Sequence, residues 1–210
     1  MAQFFAIHPT SPQARLVRRA ADIVRADGLI AYPTDSCYAL GCLPGATKAL
    51  ERLRRLRGMD ERHHLTLMCR NLSEISAYAI VDDARFRLVK RATPGSYTFI
   101  LRGTRELPRR LLHPKRKTIG VRVPAHPVAQ ALLAELDQPM LSTTLLLPGD
   151  EQPLSDAQEI RERLERSLDL VIDAGSCGTE PSTVIDLTGE APVVVRKGKG
   201  SLAPFAVEAF

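Results

Sequence analysis

From its first residues the chain alternates short aliphatic runs with segments of helical period. That alternation restricts it to the α/β class. Phe4 to Ile7 reads as a strand. Ser11-Pro12 reads as a helix start, a capping hydroxyl followed by proline at the first helical position. Leu16, Ala20, Ile23 and Val24 then form an apolar face that ends at Gly28. Leu29 to Tyr32 is a short buried strand stopped by Pro33. The same reading gives helices over 46–57, 82–91, 128–136 and 155–168, and strands over 65–69, 97–101, 118–123 and 140–142. Strands over 170–172, 183–187 and 193–195 close the chain. Alternation early and hairpin-like strands late predict a mixed sheet. A single domain spanning 1–210 is expected, with Pro148 to Pro153 as a loop inside it.

Aromatic residues are only 5% and tryptophan is absent, so the core must be aliphatic. No apolar run reaches the length of a membrane span, and no basic-then-apolar leader opens the chain. The expectation is a cytoplasmic protein with no membrane partner. The four cysteines, Cys37, Cys42, Cys69 and Cys177, show no C-x-x-C spacing and read as reduced thiols. Cys69 with His63 and His64 is the one zinc combination on offer. Zinc sites usually show two spaced ligand pairs, so no metal ligand is assigned. Dinucleotide, P-loop and nucleophile-elbow motifs are all missing.

The formal charge is +5, and its distribution is uneven. Arg105, Arg109, Arg110, Lys115, Arg116 and Lys117 crowd a loop that contains a single acid, Glu106. Arg52, Arg54, Arg55 and Arg57 form a second basic set, and Arg196, Lys197 and Lys199 a third. Convergence of the three would make an anion-binding face. The alternative for Arg52 to Arg55 is a solvated helix face, favoured for Arg52. The 105–117 segment has no apolar periodicity, so it is expected to stand off the core and meet nucleic-acid phosphates.

Small hydroxyl residues recur at strand ends beside proline or glycine: Thr34, Thr98, Ser142 with Thr144, and Ser182. Hydroxyls and free backbone N–H groups there suit phosphate or carboxylate ligands. Arginine adds forked contacts to the same anions. Taken singly, each hydroxyl is better explained by turn capping. Four such sites beside a basic cluster point to a nucleotide or polyphosphate.

The stretches Gly28 to Cys42, Thr93 to Leu101, Ile119 to Val128, Pro181 to Thr188 and Val195 to Gly200 resemble the family of YrdC and YciO proteins. The resemblance runs in order along nearly the whole chain. Leu65 to Glu74 and Pro108 to Leu112 read most like the YciO branch. It implies a twisted, open mixed sheet with helices on its faces around a large positively charged cavity. It also implies synthesis of threonylcarbamoyl-AMP from L-threonine, bicarbonate and ATP, with Mg²⁺ as the nucleotide's partner and pyrophosphate released. The product serves threonylcarbamoyladenosine formation in tRNA. Such a reaction needs positioning and charge stabilisation more than a protein nucleophile.

Carried over by position, Arg57 and Arg122 hold the triphosphate or carbamate. Thr34, His64, Thr98, Ser142 and Thr144 line the cavity, and Ser182 and Arg196 lie near the nucleotide. The chain departs from the synthase pattern at specific places. The family's Lys-x-Arg falls on Arg57 and Met59, its following proline on His64, and a later histidine on Met68. Its Ser-x-Asn reads Ser142-Thr143-Thr144. A lost charged contact to a buried anion costs about 2–5 kcal/mol, so synthesis is weakened more than nucleotide binding. The rival class is a double-stranded RNA-, tRNA- or ribosome-binding protein that uses Arg105, Arg109, Arg110, Lys115, Arg116 and Lys117. Shape-based RNA binding needs charge but few aromatics.

Overall fold

A computed structural model describes residues 1–60 and 65–205. His63 and His64 lie outside that range. The first elements are β1 (Gln3–Ala6), α1 (Ala14–Arg25), β2 (Ile30–Tyr32), β3 (Ala39–Cys42), α2 (Thr47–Arg57) and β4 (Thr66–Met68). Then come α3 (Leu72–Tyr78), α4 (Asp83–Ala92), β5 (Tyr97–Arg102), β6 (Thr118–Arg122), α5 (Pro127–Leu136) and β7 (Met140–Thr144). α6 (Ala157–Leu164), β8 (Leu170–Asp173), β9 (Thr183–Asp186) and β10 (Val193–Arg196) complete the order. The strands form one open sheet of ten, ordered β1-β8-β2-β3-β7-β4-β6-β5-β9-β10. β1, β8 and β2 run parallel, as do β4 with β6 and β5 with β9; the remaining neighbours are antiparallel.

Period-two alternation sorts each strand's side chains to opposite faces. Ile30 and Tyr32 join one apolar cluster with α1 and α5, through Val17, Val24, Val128 and Leu132. Ala31, Leu67, Phe99, Val121 and Leu141 point the other way, onto α2, α3, α4 and α6. α1 and α5 pack against each other on their face of the sheet.

Several expectations need correction. α1 begins at Ala14, with Gln13 rather than Ser11 in the capping position and no side-chain cap. The Ser11 amide instead donates to His8 Nδ1 at 3.1 Å, which uses that stretch as a turn. β3 and α3 were not expected; β3 is four residues of mostly small side chains, and α3 is barely two turns. α6 starts at Ala157, where the Asp156 carboxylate accepts from the Gln158 and Glu159 amides, and it stops at Leu164 rather than 168.

The largest correction concerns the basic loop. It does not stand off the core. Leu107, Leu111 and Leu112 are buried in the main cluster, with a single 3-10 turn over Arg109–Leu111. Three leucines among charges escaped a periodicity test because they follow a loop path, not a helix or strand. Leu111→Ala should therefore cost about 2–5 kcal/mol of stability in urea unfolding. A cost near zero would return the loop to solvent.

Candidate functional site

A cavity of about 330 Å³ opens over the sheet. Its floor is read in pairs two residues apart: Thr66 and Met68, Thr98 and Ile100, Gly120 and Arg122, Ser142 and Thr144, Ser182 and Val184. These pairs come from strands adjacent in the sheet, so they lie side by side. Met68 and Ala39 belong both to this floor and to the α1–α5 cluster, which puts the cavity on that same face. The low centre is Gly120. A Cβ there would lie 3.1 Å from the Leu65 carbonyl oxygen, Thr66 Oγ1 and Thr98 Cγ2 alike.

Arg122 is the buried corner of the site, with its side chain 7% exposed. Its guanidinium donates to Asp35 Oδ1 at 2.8 Å, to Ser36 Oγ at 3.0 Å and to the Gly95 carbonyl at 3.3 Å. Asp35 also accepts from Ser96 Oγ at 2.7 Å and from the Ala125 amide at 3.0 Å. Burial alone would push the Asp35 carboxyl up. Arg122 and those hydrogen bonds outweigh burial and hold it below the usual carboxylate range.

Arg57 ends α2 in a different condition. Its Nε is buried and has no hydrogen-bond partner, and no carboxylate pairs with it among the described residues. Burial, together with the nearby Arg196 guanidinium, lowers its pKa. Arg196 is held from the edge strand by the Ser182 carbonyl, at 2.8 Å from one terminal nitrogen and 3.1 Å from Nε. The chain after it turns onto the sheet through Gly198, where a Cβ would fall 2.2 Å from the Pro181 carbonyl oxygen. Lys199 then donates to the Asp35 carbonyl at 2.6 Å.

The hydroxyls are paired before any ligand arrives. Tyr32 and Ser142 hydroxyls lie 2.8 Å apart, and those of Thr98 and Ser182 2.9 Å apart. Thr34 caps its own turn, accepting from the Ser36 and Cys37 amides and donating to the Cys37 carbonyl at 2.7 Å. Turn capping, the alternative kept open for each hydroxyl, is thus realised at Thr34.

Arg57, Arg122, Thr34, Thr98, Ser142, Thr144, Ser182 and Arg196 all line the cavity. His64 lies outside the described residues. Arg105, Arg109, Arg110, Lys115, Arg116 and Lys117 are exposed and form no part of the lining. The three basic sets do not converge as wholes: the second sends Arg57 inward, the third sends Arg196, and the 105–117 set sends none. Arg52 is not a solvated side chain but pairs with Asp169 at 2.9 Å. Sequence reasoning missed Asp35, Cys37, Thr66, Gly120 and Glu151. Asp35 stands as the one acid in Pro33-Thr34-Asp35-Ser36, but nothing in one sequence pairs it with Arg122. All four cysteines are free thiols, and burial raises the pKa of each.

A family model covering Sua5, YciO and YrdC, described as telomere recombination, matches residues 22–198. The chain is 58% identical over 205 residues to Escherichia coli YciO, a protein described as uncharacterized, covering 98% of this chain and 100% of that one. The crystal structure of E. coli YciO superimposes with a TM-score of 0.95. Identity to the threonylcarbamoyl-AMP synthase of Idiomarina loihiensis is 35% over 164 residues, covering 76% of this chain and 87% of the relative. The crystal structure of P. abyssi Sua5 complexed with L-threonine matches at a TM-score of 0.84 and 26% identity, over 93% of this chain and 57% of that one.

The depressed Asp35 carboxyl has a definite pH signature. A carboxylate with a lowered folded-state pKa stabilises the fold above its unfolded pKa and loses that contribution as pH falls through the folded value. Asp35→Asn leaves Arg122 buried without its counter-charge, so it should cost about 3–5 kcal/mol at pH 7. In denaturant unfolding the gap between variant and wild type should stay constant down to about pH 4 and narrow only below it. A gap that does not change with pH would show that the carboxylate's charge is not what matters.

Proposed function

Because the chain belongs to the Sua5/YciO/YrdC family, whose members include threonylcarbamoyl-AMP synthases, we propose that its cavity binds ATP and L-threonine and joins them through bicarbonate into threonylcarbamoyl-AMP. The observation that carries this reading is Arg57, a cation whose buried Nε has no partner. Leaving a charged group partly desolvated and unpaired is costly, and an anion repays that cost on binding. Arg196 adds a second cation at the same place.

In this reading the threonine amine attacks the bicarbonate carbon, a carbon–oxygen bond breaks, and water leaves with the amine's proton to give a carbamate. A carbamate oxygen then attacks the α-phosphorus, and pyrophosphate leaves. The protein's task is to align those oxygens and neutralise the charge that spreads over the phosphoryl group. Arg57 and Arg196, neither paired with a carboxylate among the described residues, supply part of that charge. Arg122 is fixed by Asp35 and keeps further N–H donors for a carboxylate or carbamate. The hydroxyls of Thr98, Ser182 and Ser142 offer lone pairs and rotatable protons along the floor. Met59, half-buried in the lining where the synthase pattern has arginine, offers no charge. Among the described residues no three metal-ligating side chains gather. The one carboxylate among the described lining residues, Glu151, and the lining hydroxyls fit a Mg²⁺ that arrives on the phosphates and keeps several waters. Once bound, Mg²⁺ would neutralise triphosphate charge.

Millimolar ATP should raise the melting temperature of the wild type, because a ligand that binds only the native state stabilises it by mass action. Arg57→Ala should lose most of that shift while keeping its own melting temperature. Pyrophosphate release should require threonine and bicarbonate together. Release that ignores threonine would point to a different acceptor, and no ATP shift would remove the nucleotide from the site.

A second reading, binding of double-stranded RNA, is favoured by the 105–117 segment. Its six basic side chains are exposed, and Arg116, 3.9 Å from Asp186, is the only one in an ion pair among the described residues. Replacing Arg109, Arg110, Lys115, Arg116 and Lys117 with alanine should flatten the salt dependence of RNA affinity and leave the ATP shift intact. An unchanged slope would exclude this loop as the contact.

A further inference from the structure

We propose that Glu151 is the protein ligand of the divalent cation that accompanies the nucleotide. This rests on the nucleotide reading of the cavity. Among the described lining residues Glu151 is the only carboxylate, and it shares the space with Arg57, Arg122 and Arg196. A carboxylate that shares a cavity with a triphosphate repels it, unless a cation stands between the two. Mg²⁺ is commonly held by one or two carboxylates plus phosphate oxygens and water, so one well-placed side chain suffices.

Glu151 is exposed to solvent and free for that task. Its neighbour Asp150 takes the nearby guanidinium of Arg163 at 3.0 Å, and Arg163 spends its other end on Glu159 at 3.3 Å. Glu151 itself makes no ion pair or hydrogen bond among the described residues. Arg57 and Arg196, which share its cavity, are likewise without a carboxylate, so charges of both signs face one space without neutralising each other. A nucleotide carrying a metal ion satisfies both: phosphates on the arginines, metal on the glutamate.

The loop that carries Glu151 is also held in place. The Asp150 amide donates to the Leu147 carbonyl at 3.1 Å, and the Leu154 amide to the Leu145 carbonyl at 3.0 Å. Pro148 packs where a side chain on Gly58 would stand, 3.2 Å from that position, and Gly58 directly follows Arg57. The glutamate and the unpaired arginine are therefore mounted on touching segments.

The test compares wild type with Glu151→Gln by calorimetric titration of a non-hydrolysable ATP analogue, once in EDTA and once in Mg²⁺. Mn²⁺ binding to the protein–analogue complex is followed by electron paramagnetic resonance. In EDTA the variant should bind the analogue as tightly as wild type or tighter, because a like charge has gone. In Mg²⁺ it should bind roughly tenfold more weakly, with a matching tenfold loss for Mn²⁺. Equal weakening in both media would mean a packing role and overturn the proposal, as would unchanged binding in Mg²⁺. Should wild type fail to bind the analogue in either medium, the nucleotide reading itself fails and the proposal falls with it.

Discussion

The Asp35–Arg122 ion pair is the constraint on which the site depends. It joins the turn after β2 to the end of β6, and the same carboxylate reaches Ser96 at the mouth of β5 and the Ala125 amide before α5. Lys199 adds the C-terminal tail through the Asp35 carbonyl. Segments far apart in sequence thus meet on one residue. A buried pair of this kind is weak evidence for net stability, since desolvation offsets much of the attraction. Its value is geometric: it fixes where the β2–β3 turn stands over the sheet, and with it Thr34, Ser36 and Cys37 in the cavity wall.

Against that fixed corner, Arg57 and Arg196 are left deliberately unbalanced. Arg122 has its counter-ion and can be buried at little risk. Arg57 has none, and the protein bears that cost in the empty state. The contrast separates two conditions of arginine in one cavity, one paired within the wall and one with a buried Nε that has no partner. The family's threonylcarbamoyl-AMP synthases match this chain over most of its length, yet Met59 and Thr144 replace polar groups of that pattern in the lining. In the proposed reading, anion binding rests on Arg57 and Arg196, whereas Met59 and Thr144 bear on synthesis.

Much of the fold was legible because long helices and buried strands announce themselves by period. α1, α2, α4 and α5 carry apolar faces, and the strands from β4 to β9 each hold buried apolar residues. β3 was not legible because Ala39-Leu40-Gly41-Cys42 has small residues and no alternation; it is a strand only because β2 and β7 flank it. The site followed the same logic. Arg57, Arg122 and the hydroxyls were legible by type and by family resemblance. Asp35 was not, because its importance lies in a partner 87 residues away. The basic loop was misread because Leu107, Leu111 and Leu112 anchor it through tertiary contacts that no local pattern encodes.

The floor of the cavity shares its strands with the core beneath it. Thr98 faces the cavity while Phe99 faces the helices, and the same division holds for Gly120 and Val121 and for Ser142 and Leu141. Each strand therefore carries two independent texts, one written for stability and one for chemistry, interleaved at every second letter. A change in the chemical text spares the core on the far side of the sheet, while Ala39 and Met68 also serve the α1–α5 cluster on the cavity's own face. Such a scaffold lets new substrates be explored by single replacements at little risk to folding, a freedom that a site built from the core itself would not have.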